Sequence, residues 1–170
     1  MSADIYWIPD VPSGGLAILG RPRAGDWLID EVADWKARGV TDVVSLLQSH
    51  EVRELGLTHE AEIAEQLGLS FEAFPIPDRG VPESLEAAHA LWARLETKIR
   101  NGGGVGVHCR ASIGRAGLVV AGALMRLGSS ESEAWQRASA ARGRPLPDTD
   151  EQRLWVASAF RRGSIKTITT

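Results

Sequence analysis

Apolar and polar positions follow two rhythms along this chain, and the rhythms take turns. Short apolar runs bounded by turn residues fall at 16–19, 40–47, 70–74 and 105–108, each of a length suited to a buried strand. Between them the apolar spacing widens to the helical repeat. Leu28, Ile29, Val32 and Trp35 share one face of a helix that Asp26 can cap and Gly39 can stop. Residues 50–67 read as short helices ending at Gly68. Leu85, Ala88, Trp92, Leu95 and Ile99 line one side of a long helix over 83–100, and a turn at 101–104 delivers the chain to the strand 105–108. Beyond it the pattern is all helical: 115–127, then 131–142 opened by the capping box Ser130-x-x-Glu133, then 150–161. Pro9, Pro12, Gly14 and Gly15 break the first residues into short extended pieces, and 164–170 reads as a loosely held tail.

Strands that alternate with helices imply an α/β fold. The expectation is a single domain over 1–170, with a central, largely parallel sheet of about four or five strands flanked by helices on both faces. A length of 170 residues supports one core, and six tryptophans supply large apolar pieces for it. In such sheets ligands bind beyond the carboxyl ends of the strands.

Charge and cysteine content narrow the function classes. A net charge of -3 gives no general attraction to nucleic acid or to an anionic membrane. One cysteine excludes an internal disulfide and any multi-cysteine zinc site, and the four histidines show no ligand spacing. The opening MSADIYWIPDVPSGG lacks the basic and apolar regions of a signal peptide, and no apolar run approaches the roughly 18 residues of a membrane span. The expected protein is a cytoplasmic monomer with neither nucleic acid nor membrane among its partners.

That one cysteine stands in VGVHCRASIGRAG, where the strand 105–108 runs into a helix. Backbone N–H groups of the short loop and of the first helical turn can converge there on one anion, favoured by the helix dipole. Arg115, six positions after Cys109, can fold back and hold two phosphate oxygens. The same field favours a thiolate, which makes Cys109 a nucleophile aimed at bound phosphorus. The alternative is a small buried hydrophobe, the common fate of a lone cysteine. Attack on phosphorus also needs an acid for the departing oxygen, and the loop PIPDRGVP offers Asp78, though Pro-Asp-x-Gly is equally the composition of a plain turn.

These segments resemble the cysteine-dependent protein phosphatases, the protein-tyrosine and dual-specificity superfamily. HCRASIGR is similar to their HCx5R phosphate loop, and IPDRGVP to their WPDxGxP acid loop, with Ile76 in the tryptophan position. The likeness runs from about Val40 to Trp155 and points to the small dual-specificity branch near the kinase-associated phosphatases. The resemblance implies a cofactor-free, metal-free reaction on a phosphorylated protein or peptide. Cys109 would attack, Asp78 would protonate the leaving oxygen and later deprotonate water, and Arg115 would grip the transferring oxygens. Arg110, Ala111, Ser112, Ile113, Gly114 and Arg115 would form the phosphate cradle. His108 would tune the thiol from behind, or serve only as a satisfied core histidine. In PDTDEQR, Gln152 and Asp148 stand where the family places a water-orienting loop, while Thr149-x-x-Gln152 is also a capping box.

Two departures bear on turnover. Ser112 replaces a loop glycine common in the family, and Ala116 replaces the Ser or Thr whose hydroxyl helps the cysteine sulfur leave. Ser112 could compensate for Ala116. Other readings remain: a phosphatase of phosphoinositides or other non-protein phosphates, or a weakly catalytic module that binds a phosphorylated partner. The lipid phosphatases of the superfamily tend to carry lysines in the loop, and Arg110 is the one extra cation here. Redox cycling within the chain would need a resolving cysteine, which is missing.

Overall fold

The strand that leads to Cys109 is the middle strand of the sheet. In the computed structural model, which describes residues 4–165, β5 (Gly104–His108) lies between β2 (Gly15–Leu19) and β3 (Asp42–Ser45). The full order is β1-β2-β5-β3-β4, with β1 at Ile5–Trp7 and β4 at Ser70–Ala73. β2, β5, β3 and β4 run parallel, and β1 pairs antiparallel with β2, Tyr6 opposite Ile18. The α/β expectation holds, on a mixed sheet. In the sequence β1 is only an extended piece, since three residues are too few for an alternation to show.

The inner strands divide the sheet's side chains between two cores. Leu16, Ile18, Val105 and Val107 face α4 (Leu85–Arg100), α5 (Gly114–Arg126), α6 (Glu131–Arg142) and α7 (Asp150–Ile165). Ala17, Leu19 and Val43 face α1 (Trp27–Ala37) and the segment holding α2 (Ser49–Glu54) and α3 (Glu60–Gln66). Gly106 shares this second side of β5 with Gly104 and His108, and a Cβ on it would stand 2.6 Å from the Leu19 side chain. The missing side chain lets β2 and β5 share one close-packed layer.

α5 is buried along every residue from Gly114 to Leu124, as a helix that is apolar all round beyond Arg115 must be. It lies between the sheet and the outer helices, so its first turn is fixed by the core rather than by the loop before it. Trp92 of α4 occupies the space above Gly122 and donates its indole N–H to the Val119 carbonyl at 3.0 Å.

Three local expectations are corrected. Ile29 is half exposed, because α1 buries the stripe Leu28, Val32 and Trp35, and the adjoining buried place goes to Glu31, which binds Arg23. Asp26 precedes α1 but makes no capping bond; its backbone is already helical, whereas a capping side chain needs an extended residue. The helix expected over 150–161 continues to Ile165, so Ser164 and Ile165 belong to α7 and the rest of the expected tail, 166–170, lies outside the described residues. The capping box of α6 is formed as read, with Ser130 and Glu133 each accepting the other's backbone N–H.

Candidate active site

β5 ends at His108 in the centre of the sheet's carboxyl edge, and α5 begins six residues later. The five residues between must reverse the chain within a short span, which forces unusual backbone geometry. Ser112 takes a φ of 55°, in the left-handed region that favours glycine. Cys109 is buried at the base of this loop, against the α5 side of the core, and Ser112 is buried as well.

Arg115 sits in the first turn of α5 and is almost wholly buried. Its guanidinium has four acceptor contacts. Nη1 donates to Glu51 Oε2 at 2.7 Å and to the Ile76 carbonyl at 3.0 Å. Nη2 donates to Glu51 Oε1 at 2.9 Å and to Asp78 Oδ1 at 3.1 Å. Burial works against this charge, but the Glu51 bonds and the neighbouring Cys109, Glu51 and Asp78 charges outweigh it and hold the pKa of Arg115 above its ordinary value. Glu51 is equally buried. Desolvation would raise its carboxyl, yet the Arg115 fork and the Gln48 N–H bring it below the usual carboxylate value.

The loop holding Asp78 therefore comes to the loop after β5 through Arg115. Ile76 is buried in the core, and two residues on Asp78 leaves more than half of its side chain in solvent while touching the guanidinium. Gly80 N–H closes a turn on the Pro77 carbonyl, so the turn reading of this segment is also realised. Gln152 of α7 then fastens the loop from the other side, its Nε2 donating to the Gly80 carbonyl at 3.0 Å.

Gln152 also fulfils its second reading. Thr149 N–H donates to its Oε1, and Gln152 N–H donates to Thr149 Oγ1, a formed capping box. The amide still keeps one N–H and one carbonyl lone pair for a further partner. Asp148 is exposed beside it. Both stand against the start of α5: a Cβ on Gly114 would lie 2.5 Å from Asp148 Oδ2 and 2.8 Å from Gln152 Oε1.

His108 is fully buried and has a partner for each ring nitrogen, as the reading of a satisfied core histidine requires. Its Nε2 lies 2.6 Å from Glu60 Oε1, the first residue of α3, and its Nδ1 lies 3.3 Å from the Cys109 carbonyl. Both ring nitrogens thus face oxygens, which calls for a proton on Nδ1 and another shared with Glu60. Burial disfavours the charged ring, but the Glu60 charge and hydrogen bond and the Cys109 carbonyl overcome it, so the pKa of His108 is raised above 6.5. The folded chain then holds this proton more tightly than the unfolded chain. The resulting stability is complete below about pH 6.5 and is lost as the pH rises through the folded-state value. Urea unfolding across roughly pH 6 to 9 should show a midpoint that falls with pH, and Glu60→Gln should remove the fall. A wild-type midpoint flat across that range would contradict the pairing.

Ser112 does not stand in for the hydroxyl missing at Ala116. Its Oγ donates to the Leu19 carbonyl at the end of β2, so its one proton is committed away from the sulfur. Arg110 points outward, half exposed and 3.7 Å from Glu54. Ala111 is exposed, and Ile113 packs on the edge of the core. Three residues of the site escaped the sequence reading. Glu51 and Glu60 are the buried carboxylates behind Arg115 and His108, and Arg142 donates to the loop carbonyls of Ser112 at 3.0 Å and Ala111 at 3.3 Å. Glu51 alone carried a local sign, as the third helical residue of a box with Gln48.

The geometry has counterparts among known proteins. Cyclin-dependent kinase inhibitor 3 of Rattus norvegicus is 26% identical over 102 residues, 60% of this chain and 48% of that protein, so the match spans about half the length of this curated relative. Kinase associated phosphatase, solved with serine at its catalytic cysteine, superposes with a TM-score of 0.85 at 21% identity, covering 96% of each chain, and shares the fold. The active form of Tk-PTP gives a TM-score of 0.70 at 28% identity over 86% of this chain and 95% of its own. The model of a polymorphic toxin system DSP-PTPase phosphatase matches residues 18–129, well over half of the chain, with the phosphate loop inside it. The chain belongs to this family of dual-specificity and tyrosine phosphatases, on their α/β fold.

Proposed function

We propose that the chain hydrolyses phosphomonoesters on protein side chains through a cysteinyl-phosphate intermediate. The observation that carries this reading is the meeting of three segments: Cys109 at the floor of the loop, Arg115 at its end, and Asp78 within 3.1 Å of Arg115. In the first step the Cys109 thiolate forms an S–P bond while the ester O–P bond breaks, and Asp78 delivers its proton to the leaving oxygen. In the second a water attacks phosphorus and loses its proton to Asp78; the S–P bond breaks and the thiolate returns. Arg115 holds the equatorial oxygens through both steps, its orientation preset by Glu51. Gln152, bonded to Thr149 and Gly80, directs the second-step water on this reading with its remaining N–H. A thiol that must stay reduced fits a cytoplasmic setting.

The weak point of the cycle is departure of the sulfur. Ala116 has no hydroxyl, and that of Ser112 is bonded to Leu19. Rapid mixing with p-nitrophenyl phosphate should give a stoichiometric burst followed by slow turnover. Ala116→Ser should raise the steady-state rate about tenfold, the value of one hydrogen bond to a charged atom. Equal steady-state rates would remove Ala116 as the bottleneck, and no nitrophenol release at all would overturn the hydrolytic reading. Phosphate release from phosphotyrosyl peptides well above that from inositol phosphates supports a protein substrate; the reverse order assigns the site to the inositol class.

A further inference from the structure

We propose that Arg142, seated on Tyr6, is a positioning residue that holds the phosphate loop in its anion-binding shape. This rests on reading the loop as an anion cradle, and it begins from the direction of the peptide planes. Across a trans peptide the carbonyl and the following N–H point in opposite directions. Arg142 donates from Nε to the Ser112 carbonyl and from Nη2 to the Ala111 carbonyl, at 3.0 and 3.3 Å. Two successive carbonyls drawn to one guanidinium send the N–H groups of Ser112 and Ile113 to the side away from α6. His108 draws the Cys109 carbonyl in the same manner and so sets the N–H of Arg110. An anion cradle needs such N–H groups turned together before the anion arrives.

The loop has a particular need for this support. Ser112 holds a left-handed φ of 55° without the freedom of glycine, a conformation that costs about 1 kcal/mol or more. Its side chain is tied to Leu19 and its carbonyl to Arg142, so the strained residue is gripped on both sides. Arg142 is itself located by two elements. It closes α6, and its guanidinium lies 4.5 Å from the centre of the Tyr6 ring on β1. β1 is held to β2 by pairing that includes Tyr6 with Ile18, and β2 ends at the Leu19 that receives the Ser112 hydroxyl. The antiparallel edge strand thereby acquires a role at the site, as the seat for the cation that orients the loop. A lysine would substitute only in part, because one ammonium lacks the rigid fork that spans two neighbouring carbonyls.

The test measures inorganic phosphate binding as protection of Cys109 from iodoacetamide, which requires no turnover. Arg142→Gln should weaken protection about tenfold, Arg142→Lys by a smaller factor, and Tyr6→Leu about threefold, as expected for losing preorganisation rather than a direct ligand. Thermal unfolding of each variant is followed in parallel. Lowered melting temperatures with unchanged phosphate protection would mean that Arg142 merely ends α6, and would overturn the proposal. Absence of protection in the wild-type protein would instead overturn the reading of the loop as an anion site. Should Arg142→Gln fail to fold, the milder Arg142→Lys and Tyr6→Leu carry the same comparison.

Discussion

Cys109→Ser should slow p-nitrophenol release by on the order of 10^4-fold or more and remove the burst, while the protein still binds phosphate. The size of this loss follows from what surrounds the position. A serine hydroxyl must lose its proton to attack phosphorus, and a base within hydrogen-bond reach normally takes it. Here His108 is the adjacent imidazole, and both of its nitrogens are committed, one to Glu60 and one to the Cys109 carbonyl. Arg115 is a cation, and on the proposed route Asp78 serves as the acid of the same step. The hydroxyl therefore has no base, whereas the thiolate needs none. The proposed cradle consists of backbone and Arg115, so phosphate should protect the variant and the wild type alike from unfolding. Acid-quenched mixing followed by mass spectrometry reads the outcome directly: a phosphorylated adduct on Cys109 in the wild type and none in the variant. A variant within about tenfold of wild-type turnover would exclude Cys109 as the nucleophile.

What the chain disclosed of itself depended on how local each feature is. The passage from β5 through the cysteine loop into α5 lies within one stretch of sequence, and its strand, loop and helix follow from apolar spacing and from residue types the chemistry requires. Asp78 could be chosen because Pro and Gly around it mark a loop that the alternation of elements brings to the same edge. The supports were different. Glu51 binds Arg115 across 64 positions, Glu60 reaches His108 across 48, and Arg142 reaches Ser112 across 30. In each case the sequence shows a charged residue on a helix, the ordinary state of a solvated face; apart from the capping box of Glu51, only the packing of α2, α3 and α6 sets its partner. Ile29 failed in the opposite sense: its apolar side chain suggested a buried face that α1 gives partly to Glu31 instead. Ser112 was recognised as a departure, but its left-handed backbone and its bond to Leu19 could not be read from residue types, since both depend on where β2 ends.

The buried pair behind the site leads to the second large effect. Glu51→Ala should destabilise the protein by about 3–5 kcal/mol, the cost of leaving a buried charge without its partner. Glu51 and Arg115 are each about 2% exposed, and two of the four acceptor contacts of Arg115 are to this one carboxylate. Without it the guanidinium retains the Ile76 carbonyl and Asp78, whose side chain is mostly in solvent. The cation is then drawn toward Asp78, away from the orientation a bound phosphate requires, so activity should fall along with stability. Glu51→Gln separates the two effects, since the amide oxygen still accepts from one Nη while the charge is gone; its unfolding midpoint should lie between the other two. The pH response checks the charge independently. Because the folded-state pKa of Glu51 is depressed below 4.5, its stabilisation is complete above that value and is lost as the pH falls through the folded-state value. Wild-type stability should therefore drop on acidification below about pH 4.5, with a smaller drop in Glu51→Gln, measured by urea unfolding at each pH. Glu51→Ala within about 0.5 kcal/mol of wild type at neutral pH would show that solvent or Asp78 can replace the carboxylate, and that the guanidinium is not held in place by this pair.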